Sequence, residues 1–173
     1  MLSSQRITLR PITDNDIGAV FSYRSLEEVA KYQYWQPYSM EDAALFVKNN
    51  TNTPLTLRGR WIALLIVENK SGLVIGDCAL KITFETAEAG FNISPKYQRR
   101  GFGKETLELL INYAFNTAKV TQLFAVTDSK NTASIKLLES AGLRKDASFK
   151  NRLICKGLPS TEYKYIISNS QKP

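Results

Sequence analysis

The stretch "YQRRGFGKET", Tyr97 to Thr106, carries two glycines one residue apart, between a strand-like run and a helix-like run. Glycine lets backbone amides approach a ligand closely, and a helix start presents unpaired N–H groups at the positive end of its dipole. Lys96, Arg99, Arg100 and Lys104 add positive charge around it. The stretch therefore predicts an anion site that suits phosphate, and a plain tight turn beside a solvated basic surface is the alternative.

Two familiar phosphate motifs do not match this stretch. A dinucleotide-binding fingerprint needs a small third residue where Thr106 stands, and the P-loop needs Ser or Thr where Glu105 stands. Nicotinamide cofactors and ATP are therefore disfavoured.

The composition of the 173-residue chain excludes several chemistries. The sequence contains no histidine and two cysteines, Cys78 and Cys155, each inside an apolar strand-like run. The histidine-dependent nucleophilic arrangements are excluded, and we expect no metal site and two cysteines that serve packing. No apolar run approaches the ~20 residues of a membrane span, and the N-terminal residues lack an apolar signal core, so a cytoplasmic protein is expected.

The formal net charge of +7 favours an anionic partner. A nucleic-acid-binding module is one reading of that charge. Its usual signatures are missing, because the basic residues are scattered and no helix-turn-helix or aromatic-rich RNA-binding strand is visible. Nucleic acid is therefore an unlikely partner.

The periodicity predicts alternating elements. Strands are expected at residues 6–12, 61–68, 73–84, 87–95, 122–128, 147–156 and 161–168, with "GLPS" as the last turn. Helices are expected at residues 13–24, after Ser25 and Ser39, at 104–117 and at 131–142, with the cap pairs Thr13/Asp16, Ser25/Glu28 and Ser39/Asp42.

These elements predict an α+β fold of the α/β/α type. The strand, loop and helix over residues 88–128 form a βαβ unit, whose two strands should be parallel. We expect one domain over residues 1–173, with a core at about 6–168, and a mixed, mostly antiparallel sheet of about six to seven strands with helices on both faces.

The chain resembles the GCN5-related N-acetyltransferases, the GNAT family. Gln98 to Gly103 match that family's "Q-x-x-G-x-G" loop, the strand "EAGFNISP" precedes it and "NTAS...ESAGL" follows in the family's order. The likeness runs from about Arg6 to Ser168 and is strongest to the branch of ribosomal-protein N-terminal acetyltransferases. It implies acetyl-CoA as the donor and a direct attack by an amine in a ternary complex.

The resemblance implies which residues bind the donor. The diphosphate would lie on the loop, and the backbone near the end of the preceding strand would hold the oxyanion and the pantetheine arm. Asn131 and Ser134 match the family's "N-x-x-S" positions; capping of the following helix is the alternative for Asn131. The implied donor-binding set is Phe91, Asn92, Ile93, Gln98, Arg99, Arg100, Gly101, Phe102, Gly103, Lys104, Asn131 and Ser134.

Glu88, at the family's "E-x-G" position, is the leading candidate for the catalytic base, with Glu85 second. Glu88 would equally serve to order the substrate ammonium, or simply to end a strand. Ser134 is a candidate donor of a proton to the leaving thiolate. Many relatives carry a tyrosine for that task where this chain has Leu138, so the proton would come from Ser134, from a tyrosine elsewhere or from solvent.

The acceptor is expected to be an α-amine of a protein or peptide. Small amines such as a polyamine, an amino acid or an aminoglycoside are the alternative, and a non-catalytic acetyl-CoA sensor is another. Trp35 and Tyr38 in "YQYWQPYS" are candidate walls of the acceptor channel, with core packing as the competing role. The sequence leaves monomer and homodimer open.

Overall fold

The computed structural model describes residues 1–51 and 53–169. In this part of the chain eight strands, β1 to β8, are Leu2–Ser3, Ile7–Pro11, Trp61–Glu68, Val74–Ile82, Thr86–Ile93, Gln122–Asp128, Arg144–Cys155 and Leu158–Ser168. Five α-helices, α1 to α5, are Ile17–Arg24, Glu27–Ala30, Met40–Asn50, Phe102–Asn112 and Thr132–Ser140. No helix among the described residues is both long enough and apolar enough to cross a membrane.

The strands form one mixed sheet in the order β1-β2-β3-β4-β5-β6-β8-β7. Strands β5 and β6 are parallel and α4 lies between them in sequence, as the βαβ prediction required. The other pairs are antiparallel. The sheet has one strand more than the upper end of the predicted range because β1, two residues long, pairs with β2. So short a segment has no periodicity for sequence analysis to detect.

Strand β3 shows why helices cover both faces of the sheet. Its alternate residues Leu64 and Ile66 belong to the larger buried cluster, which also contains apolar residues of α4. Ala63 and Leu65 point the other way, into a smaller cluster with residues of α1 and α3. Period-two alternation of a strand that is apolar throughout requires cover on both sides, so the α/β/α prediction is confirmed.

Two of the three predicted cap pairs are present. Thr13 with Asp16, and Ser39 with Asp42, each form a capping box. The pairing of Ser25 with Glu28 is wrong, because Ser25 ends α1 and the N-cap of α2 is Leu26, which offers no side-chain hydrogen bond.

The predicted last turn is also misplaced. The β7–β8 connection is made by Lys156 and Gly157, both with positive φ (51° and 80°), and β8 already begins at Leu158. Two successive left-handed residues form the tight hairpin turn that matches strand twist. The proline at position 159 suggested a longer turn, but it lies within β8, beside the edge strand β7.

Candidate active site

The central feature of the site is a gap in the sheet. Strands β5 and β6 pair at three positions, where Thr86–Glu88 face Gln122–Phe124, and then separate. A cavity of about 150 Å³ lies between them. Its lining includes consecutive residues of each strand, 89–91 and 125–128, whose side chains alternate between the two faces. The cavity therefore lies in the gap, between the separated edges of the two strands.

The glycine loop connects β5 to α4, which packs on one face of the sheet. Gly101, with φ of 85°, is the N-cap of α4 and supplies no side-chain hydrogen bond to it. The first amide to enter the helical pattern belongs to Glu105, which donates to the Gly101 carbonyl at 3.1 Å. The amides of Phe102, Gly103 and Lys104 precede it, so they meet the requirement for an anion site at a helix start.

Both glycines of the loop lie close to neighbouring side chains. A Cβ on Gly103 would lie 2.5 Å from Leu137 Cδ1, so any larger residue there would make the Leu137 side chain of α5 shift. A Cβ on Gly101 would lie 3.1 Å from Arg6 Nη2 and would be strained by the positive φ. The loop is therefore held in one shape, and a glycine-only turn explains Gly101 but not Gly103.

Arg6 braces the loop from the start of β2. Its Nη1 donates to the Arg100 carbonyl at 2.9 Å, and its Nε donates to Glu105 Oε2 at 2.7 Å. Its guanidinium also lies 4.9 Å from the centre of the Phe102 ring. Sequence analysis did not identify this contact, which joins residues almost a hundred positions apart.

The predicted donor-binding side chains divide into two groups. The side chain of Phe102 is buried in the core, and Gln98 Nε2 donates to the Ile93 carbonyl at 2.9 Å, so these two residues position the loop. The second group consists of charged side chains, which are exposed. Arg100 stacks on Tyr97 and Phe102 and approaches Glu68, and Lys104 Nζ lies 3.9 Å from Glu108 Oε1. Lys96 and Arg99 are exposed as well.

The end of β5 offers its backbone to the opening. The side chains of Phe91 and Ile93 pack against the larger core, and Asn92 Nδ2 donates to Asp77 Oδ1 at 3.0 Å. On its other side β5 is paired with β4 as far as Ile93, and beyond Glu88 its edge toward β6 is unpaired. Unpaired strand edges bind extended amide-bearing chains by adding a strand.

Asn131 and Ser134 lie on the far wall of the cavity. Asn131 Oδ1 accepts a hydrogen bond from the Ser134 amide at 3.1 Å, so it caps α5 and lines the cavity at once. The Ser134 side chain also lines the cavity. Leu138 is fully buried in the core, and no hydroxyl is available at that position.

Glu88 lies at the apex of the gap, at the last paired position of β5. It is half-buried and faces away from its core neighbours Ala87 and Ala89. Burial raises the pKa of Glu88, and the nearby Glu162 acts in the same direction. Lys81 and Lys164 oppose this shift in the pKa. Glu85 is exposed in the turn that precedes β5, at the opposite end of the strand from the cavity.

The aromatic stretch contributes to the cavity through residues that sequence analysis did not single out. Tyr32, Gln33 and Tyr34 line the cavity, and the Tyr34 hydroxyl donates to Glu162 of β8. Burial and this carboxylate raise the pKa of Tyr34. Irregular backbone between α2 and α3 decides which residues face the cavity, and no periodicity in the sequence reveals it.

Trp35 and Tyr38 lie elsewhere. They line a separate groove of about 300 Å³ on α3. There the Arg24 guanidinium stacks on both rings and on Phe46, with 4.8, 5.1 and 3.9 Å to the ring centres, and its Nη1 donates to the Tyr38 hydroxyl at 2.7 Å. Both aromatic side chains therefore pack around a buried cation, and neither lines the cavity between β5 and β6.

The two cysteines fill structural positions. Cys78 is buried in the larger core, and Cys155 Sγ approaches the Gln33 carbonyl at 3.7 Å from the β7–β8 hairpin. Both are free thiols, and the cavity lining includes neither.

A comparison with known proteins identifies the family. Residues 6–144 match the family model described as an acetyltransferase (GNAT) domain. The chain is 30% identical over 170 residues to the uncharacterized N-acetyltransferase YoaA of Bacillus subtilis, covering 96% of each chain. It is 28% identical over 159 residues to the uncharacterized N-acetyltransferase p20 of Bacillus licheniformis, covering 90% of this chain and 89% of that one.

Solved structures share the fold over almost the whole chain. A GNAT acetyltransferase from Bacillus anthracis has a TM-score of 0.88 at 24% identity, with 98% of each chain covered. A putative ribosomal-protein-serine acetyltransferase from Vibrio cholerae has a TM-score of 0.82 at 24% identity, with 96% of each chain covered. A spermidine N-acetyltransferase from Vibrio cholerae, in complex with CoA and spermine, has a TM-score of 0.79 at 16% identity, with 97% of this chain and 98% of that one covered. Loop, open sheet and family model agree: the chain belongs to the GNAT family and is an N-acetyltransferase.

Proposed function

We propose that the protein transfers the acetyl group of acetyl-CoA to the α-amine of a protein or peptide, by direct attack in a ternary complex. The observation that carries the proposal is the gap between β5 and β6, because Glu88 stands at the last paired position before it and the uncapped start of α4 follows β5 in the chain. The lining of the cavity in the gap includes neither Glu88 nor the glycine loop. A donor and an acceptor that enter from opposite faces meet in that gap.

The donor half of the proposal assigns groups of this chain to parts of acetyl-CoA. The amides of residues 101–104 bind the diphosphate, with Arg99, Arg100 and Lys104 adding positive charge. The unpaired edge of β5 from Phe91 to Ile93 pairs with the amides of the pantetheine arm. The spermidine N-acetyltransferase of this fold, a complex with CoA, supports the assignment by analogy.

The reaction forms a C–N bond and breaks the C–S bond of the thioester. Glu88 takes the proton that the amine loses, directly or through water, and backbone N–H groups near Phe91 stabilise the oxyanion. The leaving thiolate takes a proton from Ser134 or from solvent, because Leu138 supplies none. An acetyl-enzyme is not part of this route, since Cys78 is buried and Cys155 lies outside the cavity lining.

The cavity favours a cationic acceptor although the chain as a whole is basic. Asp128 and Glu162 are the charged residues of its lining in the described part of the chain, and that lining contains no lysine or arginine. Deprotonating an α-amine at pH 7 costs about 1 to 1.4 kcal/mol, against roughly 4.6 kcal/mol for a lysine side chain. A half-buried carboxylate base therefore suits an α-amine.

A small polyamine is the second candidate acceptor. The same acidic lining favours it, and a spermidine N-acetyltransferase is among the proteins of this fold. We propose a cytoplasmic location and a monomer or homodimer for either acceptor, without a metal or a nucleic-acid partner.

The proposal is tested by the release of free CoA thiol from acetyl-CoA across a panel of acceptors. The panel contains peptides with free and blocked N-termini, spermidine, single amino acids and an aminoglycoside. We expect turnover with free N-terminal peptides and none with the blocked ones. Turnover with spermidine alone would favour the second candidate, and donor binding without any turnover would identify a sensor.

A further inference from the structure

A chain of polar side chains leads from a buried ion pair to the cavity. Asp77 on β4 is 2% exposed and receives hydrogen bonds from Arg24 Nε and Nη2, both at 2.8 Å, and from the Tyr23 hydroxyl at 2.6 Å. Asn92 Nδ2 adds a fourth at 3.0 Å. Asp77 is therefore ionised and accepts hydrogen bonds only.

The carboxylate fixes the orientation of the next two amide side chains. Because Asp77 only accepts, the NH₂ group of Asn92 faces it, and the Asn92 oxygen faces away. That oxygen accepts a hydrogen bond from Gln33 Nε2 at 2.9 Å. Gln33 must then direct its own NH₂ group toward Asn92, which leaves its oxygen Oε1 as the free end of the chain.

Gln33 lines the cavity, and none of the described residues donates a hydrogen bond to its Oε1. The surrounding loop is held in place. Lys156 Nζ donates to the Ala30 carbonyl at 2.7 Å, and the Tyr32 hydroxyl donates to the Lys130 carbonyl at 3.2 Å. The structure thus holds an oriented acceptor of hydrogen bonds, Gln33 Oε1, on a residue of the cavity lining.

We propose that Gln33 Oε1 accepts a hydrogen bond from the first peptide N–H of the acceptor, so that the site selects an α-amine followed by a secondary amide. The inference rests on the proposed function and names its specificity residue. Glu88 and Asn92 are four residues apart on one face of β5, about 13 Å along the strand. The α-amine and the first peptide N–H are adjacent groups of the acceptor, so both would lie between the side chains of Glu88 and Gln33, which approach them from the two ends of this interval, Glu88 directly or through water.

The test compares two acceptor peptides that differ by one N–H. One begins Ala-Ala, and in the other the second residue is N-methylated. The wild-type protein should acetylate the N-methyl peptide with kcat/KM about tenfold lower, the value of one hydrogen bond. Gln33→Met, which keeps the length of the side chain, should remove the difference. Gln36→Met, an exposed position in the same loop, is the matched control and should keep it.

A second variant tests the orientation of the chain. In Gln33→Glu at neutral pH, a carboxylate faces the Asn92 oxygen, and the two acceptors repel each other. The displaced side chain no longer holds an oxygen at the proposed position, so the preference for the N–H peptide should be lost. On acidification the protonated side chain gains an O–H that donates to Asn92, and its carbonyl again faces the cavity. The preference should return at low pH. Titration of the acceptor amine affects kcat/KM for both peptides alike, so it cancels in the ratio of the two values.

Three results would overturn the inference. They are equal rates for both peptides in the wild-type protein, an unchanged preference in Gln33→Met, and a preference in Gln33→Glu that does not respond to pH. The proposed function fails separately, when the wild-type protein acetylates no peptide at all, and the inference falls with it.

Discussion

At the scale of single residues, the proposed acid–base chemistry depends on Glu88. Its side chain stands on the last paired position before β5 and β6 separate, next to the cavity residue Ala89, although Glu88 itself is not part of the cavity lining. Burial raises the pKa of this carboxyl toward the range where a general base is most useful. Glu85, three residues earlier, has neither the burial nor the position.

We predict that Glu88→Gln lowers kcat about 100-fold, the lower end of the usual contribution of a general base, and leaves the Kd of acetyl-CoA unchanged. Because the carboxyl works only when ionised and its pKa is raised, the ratio of wild-type to variant rates should be largest at alkaline pH. As the pH is lowered, that ratio should fall toward one, and the fall should begin at a higher pH than the titration of an ordinary glutamate. Glu85→Gln is the control, and a similar loss in both variants would remove Glu88 from the mechanism.

A second residue-scale prediction concerns the pair of Arg24 and Asp77. Arg24→Met leaves the buried carboxylate of Asp77 without its cation, and should lower the free energy of unfolding, measured by urea titration, by about 3 to 5 kcal/mol. Replacing both, as Arg24→Met with Asp77→Leu, should recover part of that loss. A double variant no more stable than the single one would show that the pair is not the source of the loss.

The same pair makes stability depend on pH. Burial acts to raise the pKa of Asp77, but the attraction of Arg24 and the hydrogen bonds outweigh it, and the pKa lies below its ordinary value. A lowered pKa gives stability that is present above the pKa of the unfolded state and is lost as pH falls through that of the folded state. The double variant should lack this acid-dependent loss.

Residue positions were easiest to predict where a motif fixes them. The structure places Glu88 at the last paired position of β5 and Gly101 at the start of α4, and their roles stay predictions. Tyr34 and Gln33 were missed although the aromatic stretch around them was noticed, and Trp35 and Tyr38 lie in another groove. Neighbouring residues of an irregular segment point in directions that depend on tertiary contacts, which one sequence does not display.

At the scale of elements, the glycine loop and the start of α4 are held together by contacts with the rest of the chain. Gly103 allows α4 to pack against Leu137 of α5, and Arg6 ties the loop to β2. The proposed anion site would therefore be built before a ligand arrives, and little conformational entropy would be lost on binding.

We predict that Gly101→Glu abolishes detectable binding of acetyl-CoA in calorimetry and lowers stability by about 1 to 2 kcal/mol. The side chain would bring a negative charge and a strained backbone to the diphosphate site. Gly59→Glu is the matched control, because its φ of 78° imposes the same strain and nothing lies within 4 Å of its Cβ position. Donor affinity that survives Gly101→Glu would refute the assignment of the loop.

Regular elements were predictable to different degrees. Strand β6 was predicted with its observed bounds, because its residues alternate between apolar and polar. Asn131 was predicted near the start of α5, where it is the N-cap, because a cap residue marks that position locally. Helix α4 begins two residues earlier than predicted and ends in a π-helical turn, Tyr113–Thr117. Such a change of hydrogen-bond period leaves no mark in the spacing of apolar residues.

At the scale of the whole molecule, net charge and local charge differ in sign. The chain carries a net charge of +7, whereas the charged residues of the cavity lining are acidic. The positive charge at the glycine loop and the negative charge at the opposite face suit an anionic donor and a cationic acceptor that enter from opposite sides. Composition alone gave no view of this separation, because it depends on which residues the fold brings to each face.

The most direct test of the account is a crystal structure of the protein with CoA bound. We predict the diphosphate within hydrogen-bonding distance of the amides of residues 101–104, and the pantetheine arm between β5 and β6. A diphosphate bound elsewhere, with this loop and the gap in the sheet empty, would contradict the account.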